Sequence, residues 1–165
     1  MNKIENNEAF NKLMLDTYQL LSEIITIIEE TNPELALKLC LLSASQVNTI
    51  QSDRNNFEES CNSFINAAMK IYQEGKYNQN IKYQLLSNIC AYLLNFTILS
   101  KEKVENLLKI LMETGSKIPK RGDQVNSMLD IGQVYYFVFK DGKKVIECVN
   151  KARRFADFAL TNPQN

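Results

Sequence analysis

Polar residues recur along the first part of the chain at alternating steps of four and three: Lys12, Asp16, Gln19, Glu23, Thr26 and Glu30. Between them stand Leu13, Met14, Tyr18, Leu20, Leu21, Ile24, Ile25, Ile27 and Ile28. The period is helical, and the narrowness of the polar stripe predicts a helix covered by neighbours on two sides. Asn32-Pro33 then restarts the chain, with Asn as N-cap and Pro at the first helical position. The second helix is predicted over Pro33 to Ile50, with Leu35, Leu39, Leu42 and Val47 inward. A break at Ser52-Asp53-Arg54-Asn55 follows. Asn56 with Glu59 forms a capping-box variant opening a third helix, Phe57 to Glu74, and Gly75 sits at its C-terminal end. Its apolar face is Phe57, Cys61, Phe64, Ile65, Ala68, Ile71 and Tyr72.

The same period continues. A fourth helix is predicted from Gln79 to Phe96, burying Ile81, Leu85, Leu86, Ile89, Tyr92, Leu93 and Phe96. Ser100 caps a fifth, Lys101 to Thr114, with Val104, Leu107, Leu108, Leu111 and Met112 inward and Gly115 ending it. After a loop from Ser116 to Gly122, which contains Pro119, a sixth helix is predicted over Asp123 to Lys140. It ends in Val134-Tyr135-Tyr136-Phe137-Val138-Phe139, a run that alone also suits a strand. The preceding spacing of Val125, Leu129, Gly132 and Tyr135 or Tyr136 favours helix. Asp141-Gly142 makes a turn into a seventh helix, Lys143 to Leu160, with Val145, Val149, Ala152, Phe155, Ala156 and Ala159 inward.

Short loops make each helix antiparallel to the next, and the hairpins cover residues 33–75, 79–115 and 123–161. Their starts at Pro33, Gln79 and Asp123 are 46 and then 44 residues apart. That pitch matches HEAT and armadillo units and exceeds ankyrin and tetratricopeptide repeats. The expected fold class is all-α, with about seven helices in an α-solenoid of HEAT-like antiparallel hairpins, residues 1–165 forming one solenoid segment.

Composition narrows the chemistry. The 165 residues include no histidine and no tryptophan, so Ser-His-Asp and Cys-His nucleophilic arrangements and His metal sites are absent. Five Gly and three Pro are too few for a turn-rich all-β fold or a phosphate-cradling loop. The four cysteines, Cys40, Cys61, Cys90 and Cys148, form no CxxC pair and match neither zinc spacing nor a dense disulfide scaffold; buried free thiols in a reducing cytosol are expected. The N-terminus MNKIENNEAF has no signal-peptide core, and Leu20 to Ile28 is too interrupted to span a bilayer. Glu29-Glu30 and Glu58-Glu59 are adjacent pairs whose side chains diverge by about 100° on a helix, so neither chelates alone. The formal charge is zero, yet residues 1–116 carry 10 basic and 14 acidic side chains and residues 117–165 carry 9 and 5. This asymmetry suits solvated faces or steering of a charged partner. The basic C-terminal part lacks the platform of interleaved aromatics that nucleic-acid binding requires. Five consecutive large residues from Tyr135 to Phe139 cannot all face inward, so one or two should protrude.

Three segments together resemble one family: NPELALKLCLLSASQ at 32–46, FEESCNSFINAAMKIYQE at 57–74 and DGKKVIECVNKARRFAD at 141–157. They are similar to the C-terminal part of the large α-solenoid subunit of retromer, the vacuolar-protein-sorting thirty-five family. The resemblance covers residues 30–162. It implies a non-enzymatic, cofactor-free HEAT-like scaffold of the coat that sorts cargo receptors from endosomes. Such a chain is cytoplasmic and peripheral on endosomal membranes through its complex. The partner it implies is a small subunit with a metallophosphoesterase fold, held by a curved clamp. Other subunits would be reached through parts of the family's chain beyond this sequence; the N-terminal motif for the arrestin-like subunit is absent here. Relatives often carry a longer insertion between the positions of Phe139 and Asp141, and they continue beyond Asn162. The chain therefore reads as a fragment with exposed apolar solenoid faces and a tendency to self-associate.

In a two-helix solenoid the second helix of each hairpin lines the concave face. Polar positions on helices three, five and seven then become the partner-binding candidates: Asn62, Asn66, Asn106, Lys109, Asn150, Lys151 and Arg154. Two other readings stay open. One is an unrelated HEAT or armadillo adaptor. The other is a small helical enzyme or ligand-binding protein with a pocket near Tyr92, Tyr135 and Phe139.

Overall fold

A computed structural model describes residues 3–50, 54–75 and 77–161. Among them stand seven α-helices and no strand: α1 (Lys3–Thr31), α2 (Pro33–Thr49), α3 (Arg54–Glu74), α4 (Lys82–Leu93), α5 (Lys101–Gly115), α6 (Arg121–Val134) and α7 (Gly142–Thr161). A 3-10 turn, Gln79–Ile81, leads into α4, and a π turn, Tyr135–Phe139, prolongs α6. The all-α class and its antiparallel hairpins are those of an α-solenoid. The chain divides into two compact units, Met1–Lys76 with Thr97–Leu99, and Tyr77–Phe96 with Ser100–Asn165.

In the first unit α2 and α3 form the central hairpin. The Asn32 side chain accepts a bond of 3.1 Å from Leu35 N and Pro33 begins α2, as its sequence predicts. The inward face of α2 differs from the expected one. Ala36, Leu37, Cys40, Leu41, Ala44 and Val47 are buried, whereas Leu35 and Leu42 are 44% and 48% exposed. Because α2 is apolar on two sides, periodicity alone does not choose between them. The side that wins carries Ala36, Cys40 and Ala44 one turn apart, and small residues let a neighbouring helix approach closely. Cys61 Sγ indeed sits 3.7 Å from Ala44 O across this hairpin. On α3 all seven expected core residues are buried. That helix starts at Arg54, so Asn56 lies inside it and does not open it. Of the expected break at residues 52–55, Arg54 and Asn55 are helical, and Ser52-Asp53 falls outside the described residues.

Tyr18 anchors α1, meeting Phe57 at 6.3 Å and Phe64 at 6.0 Å in edge-to-face geometry. Ile25 is buried on the same side. The opposite apolar side, with Leu13, Leu20, Ile24 and Ile27, is exposed, so only one of the two expected covered sides is covered among the described residues. Asn48 Oδ1 accepts Thr97 N at 2.8 Å and Ile98 N at 3.0 Å, fixing residues 97–99 to this unit.

In the second unit α4, α5 and α7 all pack on α6. Ser100 caps α5 by accepting Lys103 N at 3.2 Å, and all five predicted core residues of α5 are buried. Gly115 is the last residue of α5 and no left-handed cap: a Cβ there would lie 3.0 Å from both Leu86 Cδ1 and Ser127 Cβ. Close helix approach is what requires glycine. α6 buries Gln124, Ser127, Met128, Ile131, Gly132, Val134 and Tyr135, while Leu129, expected inward, is exposed. As on α2, the small residues Ser127 and Gly132 decide the face. Cys148 and Ala152 form the buried seam of α7, and Val149, expected inward, is exposed.

The aromatic run is helical, as the spacing before it favours. Its π turn closes with Lys140 N donating to Tyr135 O, Asp141 N donates to the same oxygen at 3.3 Å, and Lys140 ends the turn in the left-handed region at φ 57°. Tyr135 is buried, but Tyr136 and Phe137 are 55% and 57% exposed, so two members protrude as packing geometry demands. Asp141 Oδ1 then accepts from Lys143 N and Lys144 N at 3.0 and 3.1 Å, starting α7.

Candidate functional site

The seven candidate residues fall on both units. On α3, Asn66 is exposed; Asn62 is half-buried, and its Oδ1 is out of water with no hydrogen bond. On α5, Asn106 and Lys109 are exposed, and on α7, Asn150 and Arg154 are exposed while Lys151 is half-buried. Two of them meet. Lys109 and Lys151 line a groove of about 390 Å³ with Met112, Tyr135, Lys144 and Glu147 among its walls. Asn106, Asn150 and Arg154 lie outside that lining, as do Tyr92 and Phe139, which the ligand-pocket reading would need beside Tyr135.

The groove's electrostatics are those of paired charges. Lys151 Nζ lies 3.4 Å from Glu147 Oε1 and 2.8 Å from Met112 Sδ. Lys144 Nζ reaches Glu147 Oε2 at 3.1 Å, and that hydrogen bond holds the Glu147 carboxyl below its ordinary range and raises Lys144. Lys117 holds Glu113 down in the same way at 2.8 Å, and Lys109 reaches Glu105 at 3.5 Å. These are exposed pairs of modest strength. One carboxylate shared by two lysines leaves the groove slightly positive. The arrangement suits a polar protein edge more than a compact anion, because the lysine charges are already met.

Reactive groups elsewhere are locked in. All four cysteines are free and buried, as their spacing led us to expect. Burial pushes the Cys40 and Cys61 thiols up to about 12 and Cys148 to about 11, and pushes Cys90 up as well. Thiols so raised are poor nucleophiles near neutral pH. Tyr135 is raised by burial to about 12. Among the described residues no group of three or more Cys, Asp or Glu is placed to hold a metal ion. Glu29 and Glu30 line a shallow depression of about 550 Å³ with Lys70 and Glu74. Among the described residues no helix is long and apolar enough to cross a membrane.

Two features escaped the sequence reading. Gln124 is buried at the start of α6 and its Nε2 donates to Ser116 O at 3.0 Å and Ile118 O at 2.7 Å, while Arg121 donates to its Oε1 at 2.7 Å. It staples the loop between α5 and α6, which forms one end of the groove. A glutamine near a helix start looks solvated in sequence, so no local signal marked it. The second is the contact of Lys151 with Met112, which is 39 positions away.

Antiparallel helical hairpins without a strand among the described residues define an all-α protein of the solenoid class. The family model described as Vacuolar protein sorting-associated protein 35 matches residues 1–165, and the chain belongs to that family. Vacuolar protein sorting-associated protein 35 of Schizosaccharomyces pombe is 25% identical over 152 residues, which are 87% of this chain and 18% of that protein. Vacuolar protein sorting-associated protein 35C of Arabidopsis thaliana is 24% identical over 144 residues, 84% of this chain and again 18% of that protein. The chain thus spans less than a fifth of the length of the curated relatives it matches.

Proposed function

We propose that this chain is a non-enzymatic scaffold segment of the retromer endosomal sorting coat. The observation that carries the reading is the family match along the whole of residues 1–165. The helical hairpins support it, since stacked hairpins present extended surfaces to folded partners. In this reading residues 1–165 act as one solenoid segment, cytoplasmic and held on endosomal membranes through the complex. The partner is the small subunit with a metallophosphoesterase fold, in the service of retrograde protein transport. The contacts come from polar positions on α3, α5 and α7: Asn62, Asn66, Asn106, Lys109, Asn150, Lys151 and Arg154. Lys109 and Lys151, which share the groove, are the strongest of these; buried Asn62 Oδ1 is the weakest.

Calorimetric titration of the folded chain with that small subunit from the same organism tests the reading. One-to-one binding is expected, weakened about tenfold or more by combining Lys109→Glu with Lys151→Glu, as for charge reversal at a contact. Absence of heat from a chain that circular dichroism shows to be helical would remove the partner assignment. Unchanged affinity in the double variant would move the site off the groove.

A further inference from the structure

The loop between α4 and α5 leaves the unit that both helices belong to. α4 and α5 are part of the second unit, yet Thr97–Leu99, which lie between them, are part of the first. A connection that merely turned the chain would run over the surface with its backbone in water. This one carries Ile98 and Leu99 out of water, at 6% and 8% exposure.

A single side chain of the first unit holds its backbone. Asn48, in the last turn of α2, offers one amide oxygen that accepts Thr97 N at 2.8 Å and Ile98 N at 3.0 Å. Those two donors use both lone pairs of the oxygen, and Thr97 Oγ1 stands at 3.4 Å beside them. The partners are 49 and 50 positions apart, so the bonds exist only while both regions are folded. The segment has no slack at either end. Phe96, buried in the second unit, immediately precedes it, and Ser100, the cap of α5, immediately follows.

We infer that Thr97–Leu99 is a latch, with Asn48 as its catch, that makes the two units open cooperatively. While it is docked, opening the first unit strips Asn48 from the strap and loosens the end of α4 and the capped start of α5. Once it is released, each unit opens at its own stability. The device is independent of the retromer reading and needs no partner protein.

Amide hydrogen exchange of the 165-residue chain along a urea series, resolved by peptide mass spectrometry, reads the two units separately. In the wild-type chain the cores of α2 and α3 and of α4 and α6 should become exchangeable at one shared urea midpoint. Asn48→Ala removes the acceptor with a residue that suits a helix, and circular dichroism checks that it folds. Protection of the peptide spanning residues 95–100 should then fall about tenfold or more, two hydrogen bonds being lost. The shared midpoint should split into two. Thr97→Pro deletes a donor at an exposed position and should give the same split from the other side of the bond. Asn48→Asp separates a catch from mere support. A carboxylate at the end of α2 opposes the helix dipole and lowers stability, but it still accepts both N–H groups, so the midpoint should fall without splitting. Wild-type units that open at different midpoints overturn the proposal, as does a single midpoint in Asn48→Ala. Asn48→Asp splitting as the alanine variant does would show that lost helix-end stability separates the units, and would overturn it too.

Discussion

Gly115 shows how much one hydrogen atom in place of a methyl controls. A Cβ there would crowd Ser127 Cβ, which is fixed to the α6 backbone, as well as the more yielding Leu86 Cδ1. Gly115→Ala should therefore destabilise the chain by about 1–2 kcal/mol in urea unfolding, overpacking outweighing the helix-propensity gain of ~1 kcal/mol or less at a helix end. Stabilisation by the same substitution would mean that α5 and α6 are not in this contact. Gln124→Ala should cost about 2 kcal/mol, since the carbonyls of Ser116 and Ile118 lose their shared donor. The caps at Asn32 and Ser100 were legible in the sequence because their partners lie three residues away. Gly115 and Gln124 were not. Gly115 makes its decisive contacts with other helices, and Gln124 serves a loop that the helical pattern leaves blank.

At the scale of elements, periodicity told helix from strand throughout, and even the aromatic run obeyed it. It failed where a helix is apolar on more than one side. α2 illustrates the ambiguity: neighbouring Leu41 and Leu42 are equivalent in composition, yet one is buried and the other 48% exposed. Leu41→Ala should cost about 2–4 kcal/mol and Leu42→Ala less than about 1 kcal/mol, read from the urea midpoints of the two variants. Equal losses would show that the helix is rotated towards the face first expected. The same rule explains α6 and α7, where Gly132 would bring a Cβ within 3.3 Å of Cys148 Cβ. Small residues paired across helices, more than the count of leucines, mark the inner side. The groove was half legible for a related reason. Lys109 and Lys151 each read correctly as polar-face residues, but their meeting depends on how α5 and α7 both lean on α6, which spacing within one helix does not encode.

Across the whole molecule the buried thiols couple the fold to pH. Cys40 and Cys61 belong to the first unit, Cys90 and Cys148 to the second, so both units carry the effect. Their ordinary value is 9.0, and burial raises Cys40 and Cys61 to about 12 and Cys148 to about 11, Cys90 shifting the same way. Burial disfavours the thiolate, so the folded state keeps protons that the unfolded chain releases above the ordinary thiol value. With fewer protons bound in the unfolded state, the stability curve slopes downward there. The contribution is complete below pH about 9 and is lost as pH rises towards the folded values, by at most about 1.4 kcal/mol per thiol per pH unit. Tyr135, raised to about 12, adds to the fall once free tyrosine ionises. The urea midpoint should hold steady from pH about 7 to 8 and drop between pH about 9 and 11. Replacing Cys40 and Cys61 by alanine should lower stability throughout yet flatten that drop. A midpoint indifferent to pH in this window would mean that the thiols are reached by water in the folded chain and that the core is not sealed around them.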